Sequence, residues 1–442
     1  MRTSRHHTIA RNIAVALLAG VWSQRSMTGR LEILLGKTTR KAQKSLLAEI
    51  TAKCTDSYPP ATSELAAIVL SAAAFERAAR PLLRSKAPIP YDLRPARQSS
   101  PLLATSPDLP RLATAGDIAG WLGLSIAQLN WFADEHQTQS RTTIPILQHY
   151  TYRFRKKGFG PPRLIEAPKP RLKTIQRTLL RDILDCIPAH DAAHGFVAGR
   201  SCETGAAPHA GAAVVVGLDI QNFFPTTPLG RVQALFRSLG YPHDVARILT
   251  RLCSTTTPTA VFNRLQRPAR HTRDALVAYR FPHLPQGAPT SPALANLVAW
   301  RLDQRLSGLA RSFGATYTRY ADDMTFSGDA QFGLKAKALI TAVATIAEDE
   351  GYALNDRKSR VMTSARRQQV TGLVVNAHLN VARDGYDRLK AILHNCRRNG
   401  LEAENRADHP DFRAHLEGRV GWVESINPAR GRRLRAILQA IP

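Results

Sequence analysis

Two adjacent carboxylates, Asp322 and Asp323, stand inside the run TYTRYADDMTFSG, Thr316 to Gly328. Held side by side, their charges repel. Thr316, Tyr317, Thr318 and Tyr320 before them, and Met324, Thr325 and Phe326 after them, favour extended chain, so the pattern predicts a β-hairpin with the acids at its tip. About a hundred residues earlier, GAAVVVGLDIQNFFP (Gly211 to Pro225) carries a β-branched run that ends on a third carboxylate, Asp219. Alone, Asp219 reads as a strand-end cap and the tandem pair as a surface turn. If strand and hairpin are neighbours in one sheet, three carboxylates meet at one edge. That set suits two-metal phosphoryl transfer, in which two Mg²⁺ ions about 4 Å apart activate a hydroxyl and hold a triphosphate. Divalent cations make the repulsion tolerable, and Mg²⁺ takes few protein oxygens, leaving room for substrate phosphates. Mn²⁺ is the alternative ion.

The elements that must position these acids follow from periodicity. Residues 1 to about 85 are Ala-, Leu- and Arg-rich with no strand alternation and read as helical. Within them IAVALLAGVW, Ile13 to Trp22, follows Arg2, Arg5 and Arg11 but is too short to span a bilayer and precedes no A-x-A site, so a buried amphipathic helix is expected. KAPIPYDLRPARQSSPLLATSPDLP, Lys86 to Pro110, reads as a linker. Two short helices are expected from Thr114, then a hairpin over Tyr150 to Pro168 that turns at Lys157, Gly158, Phe159 and Gly160. Helical periodicity resumes at Lys169 and again at about Leu229 to Leu239. Ser254 to His283 has no clear period and reads as an insertion. LPQGAPTSPALAN leads from a loop into a helix, a further helix is expected over Lys335 to Glu350, and the tail from Leu389 is helical and very basic. Strands alternating with helices imply an α/β sandwich flanked by basic helical blocks.

The bulk numbers narrow the class. A chain of 442 residues with 44% hydrophobic and 21% charged residues is globular and long enough for two or three domains. Its 61 Lys and Arg against 34 Asp and Glu leave a net charge of +27, which points to a polyanion partner, nucleic acid first. No stretch approaches transmembrane length, so no membrane partner is expected. Five scattered cysteines without a CxxC pair fit reduced thiols in a cytoplasmic protein. Cys186, His190 and His194, with Cys202 and His209 nearby, have types that bind zinc, but Pro188 and Gly195 break any helix that would align them.

Several tracts taken together resemble the bacterial reverse transcriptases, and the retron type most closely. They are HGFVAGRS (His194 to Ser201), GLDIQNFFP (Gly217 to Pro225), LPQGAPTSPALAN (Leu284 to Asn296), TRYADD (Thr318 to Asp323), LNDRKSR (Leu354 to Arg360) and VTGLVVN (Val370 to Asn376). They run in the family's order over about three quarters of the chain.

The resemblance implies a right-hand polymerase of α/β class, with a helical extension and linker over 1–110, fingers over 111–210, a palm over 211–370 that includes the 254–283 insertion, and a thumb over 371–442. It makes Asp219, Asp322 and Asp323 the metal ligands, aided by the Ile220 carbonyl. Phe224 falls where the family keeps an aromatic under the sugar, whose bulk excludes a ribose 2′-OH; plain core packing is the other reading, and neighbouring Phe223 suits that role. Gln286 and Gly287 resemble the loop that touches the incoming nucleotide, and Lys358 the lysine that protonates or neutralises the departing pyrophosphate. Arg163, with Lys156 and Lys157, would clamp the triphosphate. Retron enzymes also carry an Asn-Ala-x-x-His element with RNA contacts and a VTG tract. Here the first reads GAAPH, Gly205 to His209, with glycine in place of asparagine, and the second is Val370, Thr371 and Gly372. Basic helices over Arg388–Arg398 and Arg413–Arg435 would hold phosphate backbone, and Trp422 reads as a base-stacking or a core residue.

As an activity, the family implies copying of a cognate structured non-coding RNA, template and primer at once, into single-stranded DNA from dNTPs. Priming is from an RNA 2′-OH, the service is anti-phage defence with a separate effector protein, and host RNase H removes the template. The competing readings are another bacterial reverse transcriptase, either of the group II intron type, which usually continues into DNA-binding and Cys-rich nuclease segments, or of the diversity-generating type, which tends to replace the QG…SP loop kept here from Gln286 to Pro292, and a non-catalytic RNA-binding protein on a polymerase fold.

Overall fold

The computed structural model of the chain describes residues 4–18, 22, 24–54, 60, 62–85, 109–135, 138–156, 161–265 and 276–441. The expected linker, apart from Leu109 and Pro110, lies outside these residues, as do the Lys157–Gly160 turn and residues 266–275 of the 254–283 segment. The chain divides into two compact units, Met1–Pro188 with Phe224–Val298, and Ala189–Phe223 with Ala299–Pro442.

The first unit opens with helices α1 (Ser4–Leu18), α2 (Gln24–Leu35), α3 (Arg40–Lys53), α4 (Thr62–Ser71) and α5 (Phe75–Arg84). Ile9, Ile13 and Leu17 recur every four residues on α1, so one stripe is apolar and packs with Leu31, Leu46, Ile50, Leu65, Val69 and Phe75 in a core of their own. The apolar run from Ile13 is therefore buried helix as far as Leu18, and residues 19–21 of the expected Ile13–Trp22 helix lie outside the described residues. Glu49 closes the bundle by accepting from the Ala73 and Ala74 amides, the orphan donors ahead of α5. The two short helices, Ala115–Leu122 and Ile126–Ala133, each start on a reciprocal capping box, Thr114 with Asp117 and Ser125 with Gln128.

Strands β1 (Tyr150–Arg155) and β2 (Arg163–Pro168) then form the expected hairpin, pairing from Tyr150 opposite Pro168 to Arg155 opposite Arg163. Alternation turns Tyr150, Tyr152, Leu164, Glu166 and Pro168 inward, so β2 carries an acid on its core face. Ser254 to His283, expected as an insertion, is anchored within this unit at both of its own ends. Thr255 and His283 exchange reciprocal backbone hydrogen bonds of 2.9 Å, and Thr257 and Tyr279 are buried.

The second unit is built on an antiparallel sheet of β3 (Val214–Asp219), β4 (Thr316–Tyr320), β5 (Asp323–Gly328) and β6 (Arg360–Thr363), in the order β4-β5-β3-β6. Helices Trp300–Ser312 and Ala336–Asp349 accompany it. The α/β expectation thus holds as mixed helix and sheet, with antiparallel rather than parallel pairing in the sheet.

The VTG tract is a tight hairpin. Thr371 and Gly372, with φ of 47° and 90°, join β7 (Gln369–Val370) to β8 (Leu373–Val374), the paired positive angles of a type I′ turn. Helices Arg383–Asn399, Phe412–Ile426 and Pro428–Gln439 complete a core around Leu393, Leu416, Val420 and Leu434. A Cβ on Gly431 would lie 2.2 Å from the Glu424 Cα, so the last two helices approach as closely as they do only through glycine. Trp422 is 46% exposed rather than in the core. Among the described residues no helix is long and apolar enough to cross a membrane.

Candidate active site

The register of the sheet brings the acids together. Asp219, last residue of β3, lies directly opposite Asp323, first residue of β5, and residues opposed in an antiparallel ladder face the same side. Asp322 occupies the two-residue turn between β4 and β5, and its carbonyl accepts from the Ile220 amide at 2.9 Å. Ala321 opens that turn with φ 56°, a conformation that suits glycine and strains alanine.

Two partners hold Asp219 from a distant part of the chain. Asn355 donates from Nδ2 to Oδ1 at 3.0 Å and from its backbone amide to the Asp219 carbonyl at 2.8 Å. Lys358 Nζ meets Oδ2 at 2.5 Å. The segment carrying them is registered by Gln221, which donates from its amide to Ala353 and from its side chain to Leu354. Burial first, then the charges of Asp322 and Asp219, push the Asp323 carboxyl up to about 6, against the opposing pull of Lys358 and Arg360.

This electrostatics is the test of whether a divalent cation suits the site. No three His, Cys, Asp or Glu side chains among the described residues close into a preformed metal cluster, neither the three aspartates nor the Cys186–His209 group. What the site has is crowded hard oxygen donors, one raised carboxyl and an amine as the counter-ion of another. That chemistry matches an oxygen-seeking divalent cation.

The turn is braced from beneath. Arg319, 1% exposed, donates to both Asp303 oxygens at 2.8 and 2.6 Å and from Nη1 to the Ala321 carbonyl at 2.9 Å. Its guanidinium lies over the Phe223 ring, which is buried. The HGF tract runs alongside β4: Arg319 donates to the Ala192 carbonyl, and His194 to that of Arg319. A Cβ on Gly195 would fall 2.6 Å from the Ala321 nitrogen.

His209 of GAAPH is fully buried, sharing hydrogen bonds with Ser327 Oγ at 2.7 Å and Thr318 Oγ1 at 2.8 Å. Burial and His194 lower it to about 4, so it is a neutral bridge between β4 and β5 with no surface to offer an RNA. Gly205 packs against His194, where an added Cβ would meet the His194 Cβ at 3.1 Å.

The remaining residues singled out by sequence lie in the first unit. Phe224, half-buried, belongs to the short helix Phe223–Thr226 reached through Asn222 at φ 48°. Arg163 is exposed at the turn end of the β1–β2 hairpin, opposite Arg155. The Gln286 carbonyl accepts from the Glu166 amide at 2.9 Å, and Gly287 has φ 138°. Asn355 lies in the tract LNDRKSR and Arg319 in TRYADD, and nothing in their residue types marks the contacts they make here. Glu166 had a legible signal, an acid at an inward position of an alternating strand.

The family described as Reverse transcriptase (RNA-dependent DNA polymerase) matches residues 154–376, half of the chain. The Retron Mx65 reverse transcriptase of Myxococcus xanthus is 40% identical over 335 residues, covering 74% of this chain and 71% of that protein. The chain belongs to the retron reverse transcriptases. The Retron Mx162 reverse transcriptase of the same organism is 38% identical over 348 residues, 75% of this chain and 67% of that one. The Retron Ec86 reverse transcriptase of Escherichia coli is 32% identical over 275 residues, 62% and 74%. The retron reverse transcriptase described here is thus an RNA-directed DNA polymerase, and its sheet-end aspartates fall inside the matched span.

Proposed function

We propose that this reverse transcriptase copies a cognate structured RNA into a short single-stranded DNA that stays joined to the RNA, priming from a ribose 2′-OH. The single observation that carries the reading is the pairing of Asp219 with Asp323 across the sheet end, with Asp322 in the adjoining turn. Asp219, Asp322, Asp323 and the Ile220 carbonyl would hold Mg²⁺, or Mn²⁺, which when bound supplies the charge neutralisation that phosphoryl transfer needs. Asn355 and Lys358 orient Asp219, and the Lys358 ammonium is the proton source for the pyrophosphate leaving group. Phe224 excludes a 2′-OH on the incoming nucleotide, Gln286 and Gly287 receive it, and Arg163 holds its triphosphate. In right-hand terms the second unit's sheet is palm, the β1–β2 hairpin is fingers, and the basic C-terminal helices are thumb and grip RNA phosphates. Anti-phage defence with a separate effector, with host RNase H trimming the template, is the role in the cell that fits such a product.

The test is nucleic acid co-purified from cells that express the protein with its native flanking DNA, wild type against Asp322→Asn/Asp323→Asn. The expected result is a short DNA, branched to RNA and resistant to full RNase digestion, in wild type only. RNA without DNA in both preparations would sink the reading.

A further inference from the structure

Glu166 sits between Leu164 and Pro168 on the core face of β2 and is fully buried. A buried carboxylate must be paired. Its Oε1 accepts from Thr257 Oγ1 at 2.6 Å and its Oε2 lies 2.7 Å from His283 Nε2. The other ring nitrogen of His283, Nδ1, faces the Phe281 carbonyl at 2.7 Å, an acceptor that demands a hydrogen. Nδ1 therefore carries a hydrogen, and one proton lies between Nε2 and Oε2, so the two side chains form a buried, hydrogen-bonded acid–base pair. Burial lowers the His283 pKa, but the Glu166 charge and the hydrogen bonds to Glu166 and Phe281 outweigh it, so the net shift is upward.

This pair is wired to the loop that follows it. The Glu166 amide donates to the Gln286 carbonyl at 2.9 Å. Gly287, at φ 138°, lies so close that an added Cβ would be 2.8 Å from the Glu166 carbonyl oxygen. Tyr279 sets its ring edge-on to His283, centroids 5.0 Å apart, and donates its hydroxyl to Gln286 Oε1 at 3.4 Å. His283 is itself locked to Thr255 by the reciprocal backbone bonds and leads into Gln286 three residues on. Main chain and side chain of Gln286 thus both end on the surroundings of one buried acid–base pair. Such pairs stabilise a fold little compared with apolar residues of the same volume, so their use is more often to specify one arrangement.

We propose that Glu166, His283 and Thr257 form a buried positioning device that fixes the Gln286–Gly287 loop for the incoming deoxynucleotide. The proposal rests on the reading of that loop as a nucleotide contact. Its residues act through the loop and touch no substrate. It also gives a use to the ends of the 254–283 segment, which supply two of the three side chains.

The experiment measures KM for dNTP, kcat and template–primer affinity of the full chain on an RNA template with a DNA primer. Thr257→Val removes the hydroxyl at nearly constant volume, and Thr257→Ser returns it. His283→Gln breaks the acid–base pair, and Tyr279→Phe removes only the hydroxyl on Gln286, which keeps the test alive if His283→Gln does not fold. Thr257→Val and His283→Gln are expected to raise KM for dNTP on the order of tenfold, and Tyr279→Phe roughly threefold. Thr257→Ser should match wild type, with kcat and template–primer affinity within about twofold throughout. Gly287→Ala separates the two layers. If Gly287→Ala raises KM while Thr257→Val and Tyr279→Phe leave it unchanged, the loop contacts nucleotide and the positioning device is refuted. If Gly287→Ala leaves KM unchanged, the nucleotide reading of the loop itself has failed, and the proposal with it.

Discussion

Arg319 offers a separation of stability from activity. Its side chain and that of Asp303 are both fully buried, joined by two hydrogen bonds of 2.8 and 2.6 Å, and Tyr317 adds its hydroxyl to Asp303 at 2.8 Å. Arg319→Met leaves the Asp303 carboxylate buried with Tyr317 as its remaining partner in this set, which costs about 3–5 kcal/mol. Against a net stability on the order of 5–15 kcal/mol, and with each kcal/mol shifting Tm by about 2–4 °C in a domain of 150–250 residues, melting should fall by roughly 6–20 °C. Replacing the whole polar set, Asp303→Leu/Tyr317→Phe/Arg319→Met, leaves none of its three polar side chains stranded and should bring Tm back to within a few degrees of wild type. Activity should not return. The third guanidinium bond holds the Ala321 carbonyl, and so the peptide that leads into Asp322, in a turn strained at φ 56°. Without that donor the turn relaxes, and a displacement of about 1 Å at a reacting group costs on the order of a hundredfold in rate. Thermal melts and initial rates of DNA synthesis at saturating dNTP read the two effects separately. Recovery of both Tm and rate in the triple variant would refute the positioning role of Arg319, leaving only a core ion pair.

Two further outcomes follow from the same turn. Gly195→Ala places a methyl 2.6 Å from the Ala321 backbone nitrogen, where neither side can yield by rotating a side chain. We expect DNA synthesis to fall at least tenfold with RNA affinity unchanged, and a wild-type rate in a filter-binding-competent Gly195→Ala protein would contradict the close packing. For Asp323, the folded chain binds the proton more tightly than the unfolded one, since the carboxyl is raised to about 6. The stability tied to this group is therefore full below the ordinary carboxylate value and is lost as pH rises through about 6. In chelator, wild-type Tm should drop between pH 5 and pH 7 more steeply than that of Asp323→Asn, and equal slopes would remove the argument.

Much of this was legible in one dimension. Alternation and β-branching marked β3, the β1–β2 hairpin and the strands around Tyr320-Ala321-Asp322-Asp323, because those propensities belong to each residue and its neighbours. The carboxylate types and their place at strand ends announced the chemistry, and the quoted tracts announced the family. The partners were not legible. Lys358 and Asn355 return to Asp219 from 139 and 136 residues away, His283 reaches Glu166 across 117, and His209 reaches Ser327 across 118. A sequence shows that Glu166 faces inward; it cannot show what meets it there. That is decided by packing, which removes water from buried charges and leaves each one only those partners the fold carries to it. Arg319 is the plainest case. Written out, it is one basic residue in a strand of a strongly basic protein, and only the tertiary structure makes it the buried brace of the aspartate turn.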